Sequence, residues 1–242
     1  MLFSSIKSDT QPDTLANLSL ECICRNLREV FIEKPDGYEI QDGMVLPKEI
    51  CEALIQAYQR VGKSVNDEFL HLFSSRNKSI VQKVTIWKST VTDKGLKNVL
   101  QYNLRELDLA YCPELSSKSF VLLNKYGKNM KSLTLGPEVL KCLPFECGEI
   151  GFTTIRGQIY NFNMPNLTKL VLRDIFETTN RSFYQSLLAS LPKLTHLDLS
   201  NCSDLGDLSY IVNSTNLTSL TLFNCNNRQL AIPYICQLTK LK

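Results

Sequence analysis

The stretch KLTHLDLSNC, residues 193–202, decides the fold. Its pattern recurs as NLRELDLAYC at 103–112 and as NLTSLTLFNC at 216–225. All three read L-x-x-L-x-L-x-x-C. Weaker copies start at Val81, Met130 and Leu167, and LTKL from Leu238 opens another. The leading apolar residues are Val81, Leu104, Met130, Leu167, Leu194, Leu217 and Leu238, separated by 23, 26, 37, 27, 23 and 21 residues. A period of about 20–29 residues means one supersecondary unit per repeat. The 37-residue interval contains Cys142, Cys147, Gly148, Gly151 and Gly157 and reads as an insertion.

In L-x-L both leucines point to one strand face, because strand side chains alternate. One such strand cannot bury that face alone, whereas stacked copies share a continuous core. Helical spacing fills the intervals, as in 93–100 and 181–191, where Leu187, Leu188 and Leu191 share a stripe. The expected fold class is therefore α/β, a leucine-rich-repeat solenoid with a parallel sheet on its concave face and helices on its convex face. The sequence stops at Leu241-Lys242 in mid-motif, without a polar capping repeat. Solenoids need capped ends, so this predicts a fragment or an end that another element covers.

The ninth motif position is Cys112, Cys202 and Cys225, read as buried structural thiols. Nine cysteines are an odd, scattered set, which suits free thiols in a reducing compartment. Cys142 and Cys147 have no second pair at ligand spacing, and the two histidines, His71 and His196, are far apart, so no metal site is expected. The sequons at Asn166 and Asn216 lie within repeats. The opening residues turn polar at once, so no secretory signal is expected, and no apolar run reaches membrane-spanning length.

Residues 1–75 contain no repeat copy. A helix is expected over 15–31, capped by Asp13 or Thr14, then a turn at Pro35-Asp36-Gly37. A second helix is expected from Pro47, with Pro at its first position, and a shorter third over 67–73. The division is 1–14 flexible tail, 15–75 helical domain and 76–242 repeats, the last truncated. The plain reading of the helices is a cap on the first repeat.

Two motifs add to it. Ser19-Leu20-x-x-x-Cys24 resembles the elongin-C-binding box, with Leu27 one position before that box's final apolar slot, which Arg28 occupies. Leu46-Pro47-x-x-Ile50-x-x-x-Leu54 resembles the cullin-selecting box of the cullin-two type. In this order, followed by leucine-rich repeats, they resemble the zyg eleven/zer one family of substrate receptors for cullin-two RING ubiquitin ligases. That resemblance implies a non-catalytic receptor subunit, cytoplasmic or nuclear. It would dock elongin B/C through Ser19, Leu20, Cys24 and Leu27, and the cullin through Leu46, Pro47, Ile50 and Leu54. Ile50 and Leu54 fit the chain's own core equally well. The family also carries an armadillo-like C-terminal domain, to which nothing here is similar. An F-box receptor is the alternative, since Leu46-Pro47 also resembles an F-box opening, although no Trp follows within forty residues. A plain interaction scaffold is the third reading.

Outward strand positions supply concave-face candidates for a protein substrate: Trp87, Asp108, Arg173, His196, Asp198 and Phe223. Trp87, in the first repeat, is expected to pack under the cap. The candidates carry mixed signs and the net charge is +3, so no nucleic-acid partner is expected. No nucleotide-loop, nucleophile-elbow or metalloprotease motif occurs, and no cofactor is expected. His196 and Asp198 lie two apart on one strand face with no nucleophile at a defined position, which reads as a surface pair.

Overall fold

The computed structural model describes residues 14–74, 77, 80–100, 103–141, 146–148, 151–153, 159–160, 163–174, 181–203, 205, 208–226 and 228–242. Of the flexible tail expected over 1–14, residues 1–13 lie outside these residues, as do Cys142 and the side chain of Cys147.

Helix α1 spans Leu15–Arg25, and its extended N-cap, Thr14, accepts the Asn17 N–H at 3.3 Å. The single helix expected to residue 31 breaks at Asn26. There the Asn26 side chain donates to the Cys22 carbonyl at 3.0 Å, competing with the backbone for a helical acceptor. A short α2 (Leu27–Val30) follows, then a hairpin of β1 (Ile32–Lys34) and β2 (Gly37–Glu39) around the expected turn. Three-residue strands are too short to leave a period in the sequence, so nothing in the sequence announces this hairpin. Helix α3 runs Lys48–Arg60 with Pro47 as N-cap, so it starts one residue later than expected. The third helix is α4 (Asp67–Leu70) extended by a 3-10 turn, His71–Phe73.

Six strands form the parallel sheet: β3 (Lys83–Thr85), β4 (Glu106–Leu109), β5 (Ser132–Leu135), β9 (Lys169–Leu172), β10 (His196–Asp198) and β11 (Ser219–Thr221). Register aligns Val84, Leu107, Leu133, Leu170, Leu197 and Leu220 across it. On the convex side run α5 (Asp93–Leu100), α6 (Ser117–Tyr126), α7 (Pro137–Lys141), α8 (Arg181–Ala189) and the last helix, α9 (Ile232–Ile235). The insertion forms its own antiparallel sheet of β6 (Glu146–Gly148), β7 (Gly151–Thr153) and β8 (Ile159–Tyr160), while β5 pairs directly with β9. The structure is thus an α/β leucine-rich-repeat solenoid headed by helices.

The repeats are stitched by side chains that the motif encodes. Cys112 donates to the Ile86 carbonyl at 3.2 Å, Cys202 to Leu172 at 3.4 Å and Cys225 to Leu199 at 2.9 Å. Each thiol thereby satisfies a backbone acceptor at the end of the preceding strand. Just before this position, Lys88, Tyr111, Asp174, Asn201 and Asn224 all have φ between 52° and 59°. The turn away from each strand needs the left-handed region, where Asn is well tolerated. The sequon residues serve the same stacking. Asn166 and Asn216 donate to Lys128 and Pro192 carbonyls at 3.0 Å, and Thr168 and Thr218 donate to Lys131 and Thr195 carbonyls.

Strand β3 begins the sheet, and an open edge is a template for unwanted pairing. Helix α3 closes it: Glu52 Oε1 accepts the backbone N–H groups of Gln82 at 3.3 Å and Lys83 at 3.0 Å. Glu52→Ala is expected to cost about 1.5–3 kcal/mol, the range for hydrogen bonds to a charged group, measurable by urea unfolding. No described helix is long and apolar enough to cross a membrane.

Candidate docking surfaces

Helix α1 has two apolar stripes on opposite faces. At about 100° per residue, Leu20 and Cys24 lie nearly opposite Leu15, Leu18 and Cys22. The first stripe faces α3. Leu20 is only 7% exposed, Cys24 and Leu27 are buried, and the Cys24 thiol donates to the Leu54 carbonyl at 3.6 Å. Burial pushes the Cys24 thiol up to about 11 and the Cys51 thiol up to about 12. The expected adaptor anchors Leu20, Cys24 and Leu27 are therefore core residues, because the interhelical contact within the chain claims them first. Ser19 is exposed, but its hydroxyl donates to the Leu15 carbonyl at 2.8 Å.

The second stripe meets no other part of the described chain so closely: Leu15 is 81% and Leu18 51% exposed, and Cys22 is exposed. A Thr14-Leu15-x-x-x-Ser19 phrase lies along it, offset by five residues from Ser19-Leu20-x-x-x-Cys24 and with similar residue sizes. Periodicity alone marks both stripes and cannot say which one the chain keeps for itself.

The second expected box divides in the same way. Leu54 is 1% exposed and belongs to the core, which is one of the two placements expected for it. Ile50, one turn earlier, is 39% exposed; Pro47 is exposed and Leu46 is half-buried, with its carbonyl accepting the Cys51 thiol at 3.5 Å. Met44 and Val45 are exposed beside them, a feature missed because loop residues carry no period.

On the concave sheet the candidates are dispersed. Trp87, just after the first strand, is 46% exposed, so it does not pack under the cap as expected: Gln59 Nε2 donates to its carbonyl at 3.2 Å and leaves the indole at the surface. Phe223 lies at the far end beyond β11 and is exposed. Asp108 and Asp198 are half-buried and accept the N–H groups of Ala110 at 3.0 Å and Ser200 at 2.9 Å, which shapes the turns after their strands. Arg173 and Asp198 do meet, at 3.3 Å. His196 is exposed and its Nδ1 lies 2.8 Å from Thr195 Oγ1. Tyr111 donates to Asp174, a bridge between strand ends that the sequence did not signal. Among the described residues no cluster of His, Cys, Asp and Glu could hold a metal ion.

The family model described as Zer-1-like, leucine-rich repeats, matches residues 185–242. A protein zer-1 homolog of Drosophila melanogaster is 31% identical over 221 residues, covering 89% of this chain and 26% of the relative. The Homo sapiens protein zer-1 homolog is 26% identical over 258 aligned positions, covering 97% of this chain and 32% of the relative. The chain thus spans about a quarter to a third of the length of these curated relatives. Among solved structures, an internalin C2 of Listeria monocytogenes aligns with a TM-score of 0.41 and 19% identity over 74% of each chain. With the repeats and their order behind the helical segment, the sequence similarity places this leucine-rich-repeat chain in the zyg eleven/zer one family.

Proposed function

We propose that this protein is a non-catalytic substrate receptor of a cullin-RING ubiquitin ligase, working in the cytoplasm or nucleus. Residues 15–75 dock elongin B/C and a cullin-two-type scaffold, and residues 76–242 present a protein substrate. The observation that carries this reading is the unburied apolar stripe of α1. A helix serving only as a cap needs one apolar face, and Leu20, Cys24 and Leu27 already supply it. Leu15, Leu18 and Cys22 follow the spacing of helix-in-groove anchors on the other face. The adaptor contact accordingly moves from Leu20 and Cys24 to Leu15, Leu18, Ser19 and Cys22. The cullin contact keeps Pro47 and Ile50 and adds Met44 and Val45.

Cysteine reactivity tests the first contact. Native alkylation at pH 8 is expected to label exposed Cys22 and Cys236 and to spare the buried Cys24, Cys51, Cys112, Cys202 and Cys225. Saturating elongin B/C should suppress labelling of Cys22 and leave Cys236 unchanged. Equal labelling of Cys22 with and without bound adaptor would place the contact elsewhere. Ile50→Asp is expected to weaken cullin-two capture by the adaptor-bound protein by about tenfold or more, as loss of a buried aliphatic contact worth about 1.5–3 kcal/mol requires. Pull-down with the F-box adaptor in place of elongin B/C separates the two ligase classes.

A further inference from the structure

We propose that the seam between the helical segment and the first repeat is a docking groove for an acidic, extended peptide segment of a protein partner. Two clefts meet at Lys63. One, of about 210 Å³, is walled by Gln59 in the last turn of α3, by Gly62 after it, and by Trp87 and Lys88 after β3. The other, of about 280 Å³, is lined by Arg25, Arg28, Glu29 and Tyr38. Four cationic side chains, Arg25, Arg28, Lys63 and Lys88, thus line the two clefts that share Lys63, against a single lining carboxylate, Glu29. Arg25 pairs with Glu21 at 3.5 Å and Arg28 with Glu33 at 3.1 Å, whereas no described carboxylate forms an ion pair with Lys63 or Lys88.

The aromatic wall is held in place. The Trp87 carbonyl accepts from Gln59, and Lys88 N–H donates to the Ala110 carbonyl at 2.9 Å. Lys88 takes the left-handed turn at φ 52°, with its ammonium 4.9 Å from the indole centroid. Lys63 donates to the Cys24 carbonyl at 2.8 Å, and an ammonium has three donors, so that bond leaves others for a ligand. Each cleft lies below the roughly 300 Å³ at which small-molecule pockets begin. Such a groove suits successive side chains of a strand: carboxylates at the two lysines and an apolar anchor on the exposed indole, where Trp is a favoured hot spot. The groove is separate from Leu15 and Leu18, and the proposal stands whether or not the adaptor reading does.

Trp87 is the only tryptophan in the chain, so its fluorescence reports occupancy directly. The full chain is titrated with a blocked octapeptide of Glu, Leu and Gly, with the same peptide carrying Gln for Glu, and with inorganic phosphate alone. The expected result is a saturable shift of Trp87 emission with the Glu peptide only, weakened by salt. Lys63→Glu combined with Lys88→Glu should weaken it by about tenfold or more, while Lys125→Glu with Lys128→Glu, matched in net charge, should leave it unchanged. Because Lys63 also holds α1, Lys88→Glu alone is read in parallel, and it should weaken binding with an unaltered melting curve. Absence of saturation, equal binding of the Gln peptide, saturation by phosphate alone, or equal loss in both charge-matched pairs would overturn the proposal.

Discussion

Under the proposed adaptor contact, Leu15→Asp is expected to abolish capture of elongin B/C while leaving the unfolding curve of the protein unchanged. The residue is the most exposed large apolar side chain of the described chain, so its replacement removes no core contact. In the bound state it would fill a groove, and losing a buried Leu costs about 1.5–3 kcal/mol before the penalty for burying a new carboxylate. Together these weaken binding by at least about a hundredfold. Leu20→Asp has the opposite profile. It puts a charge where the chain packs α1 on α3, so it is expected to destabilise the helical segment and to reduce capture only through unfolding. Isothermal titration with both variants, alongside their denaturation curves, distinguishes the two stripes. If Leu15→Asp binds normally while folded, the outward stripe is not the adaptor surface.

That contrast marks where the sequence stops being informative. Repeat spacing is enough to anticipate the parallel sheet, since every L-x-L needs a neighbour and five of the six intervals permit one. The ninth-position cysteines read as buried thiols, and the structure adds their acceptors in the preceding repeats. The orientation of α1 is different in kind. Its two stripes are equally periodic, and only the position of α3 decides that Leu20, Cys24 and Leu27 go inwards. The motif at residues 19–24 falls on the stripe that the chain buries for itself. For α3, Ile50 and Leu54 share one helix face, yet one ends exposed and the other in the core, a difference of position along the helix that periodicity does not encode. Glu52 is silent for the same reason: an acidic residue on a helix looks solvated until a strand edge arrives beside it.

Gly37→Ala is the substitution expected to cost the most stability for the least chemical change. The sequence marks this glycine as part of a turn, but turn geometry alone does not set the size of the effect. Its φ is +137°, a conformation that an L side chain rarely adopts. A Cβ here would also run into the Glu68 carbonyl and come within 2.7 Å of His71 Cβ and 2.8 Å of Glu68 Cα. Most of those atoms are backbone, so no rotamer change relieves the clash: β2 or α4 must move. The two are tied together, with His71 Nδ1 3.2 Å from the Tyr38 carbonyl and buried Asn77 bridging the Ile40 N–H and the His71 carbonyl. Displacing α4 also disturbs Phe69, stacked 3.9 Å from Tyr58 and edge-on to Phe73, and Asp67, which accepts the Thr92 N–H at 2.9 Å. The expected loss is about 3–5 kcal/mol, the range associated with overpacking together with backbone strain. Gly62→Ala is the control: its φ is +77° but nothing lies within 4 Å of the added carbon, so strain alone remains, at about 1–2 kcal/mol. Paired denaturant titrations read the difference. Similar losses for the two would mean that the hairpin yields at no cost and does not brace α4 against the first repeat.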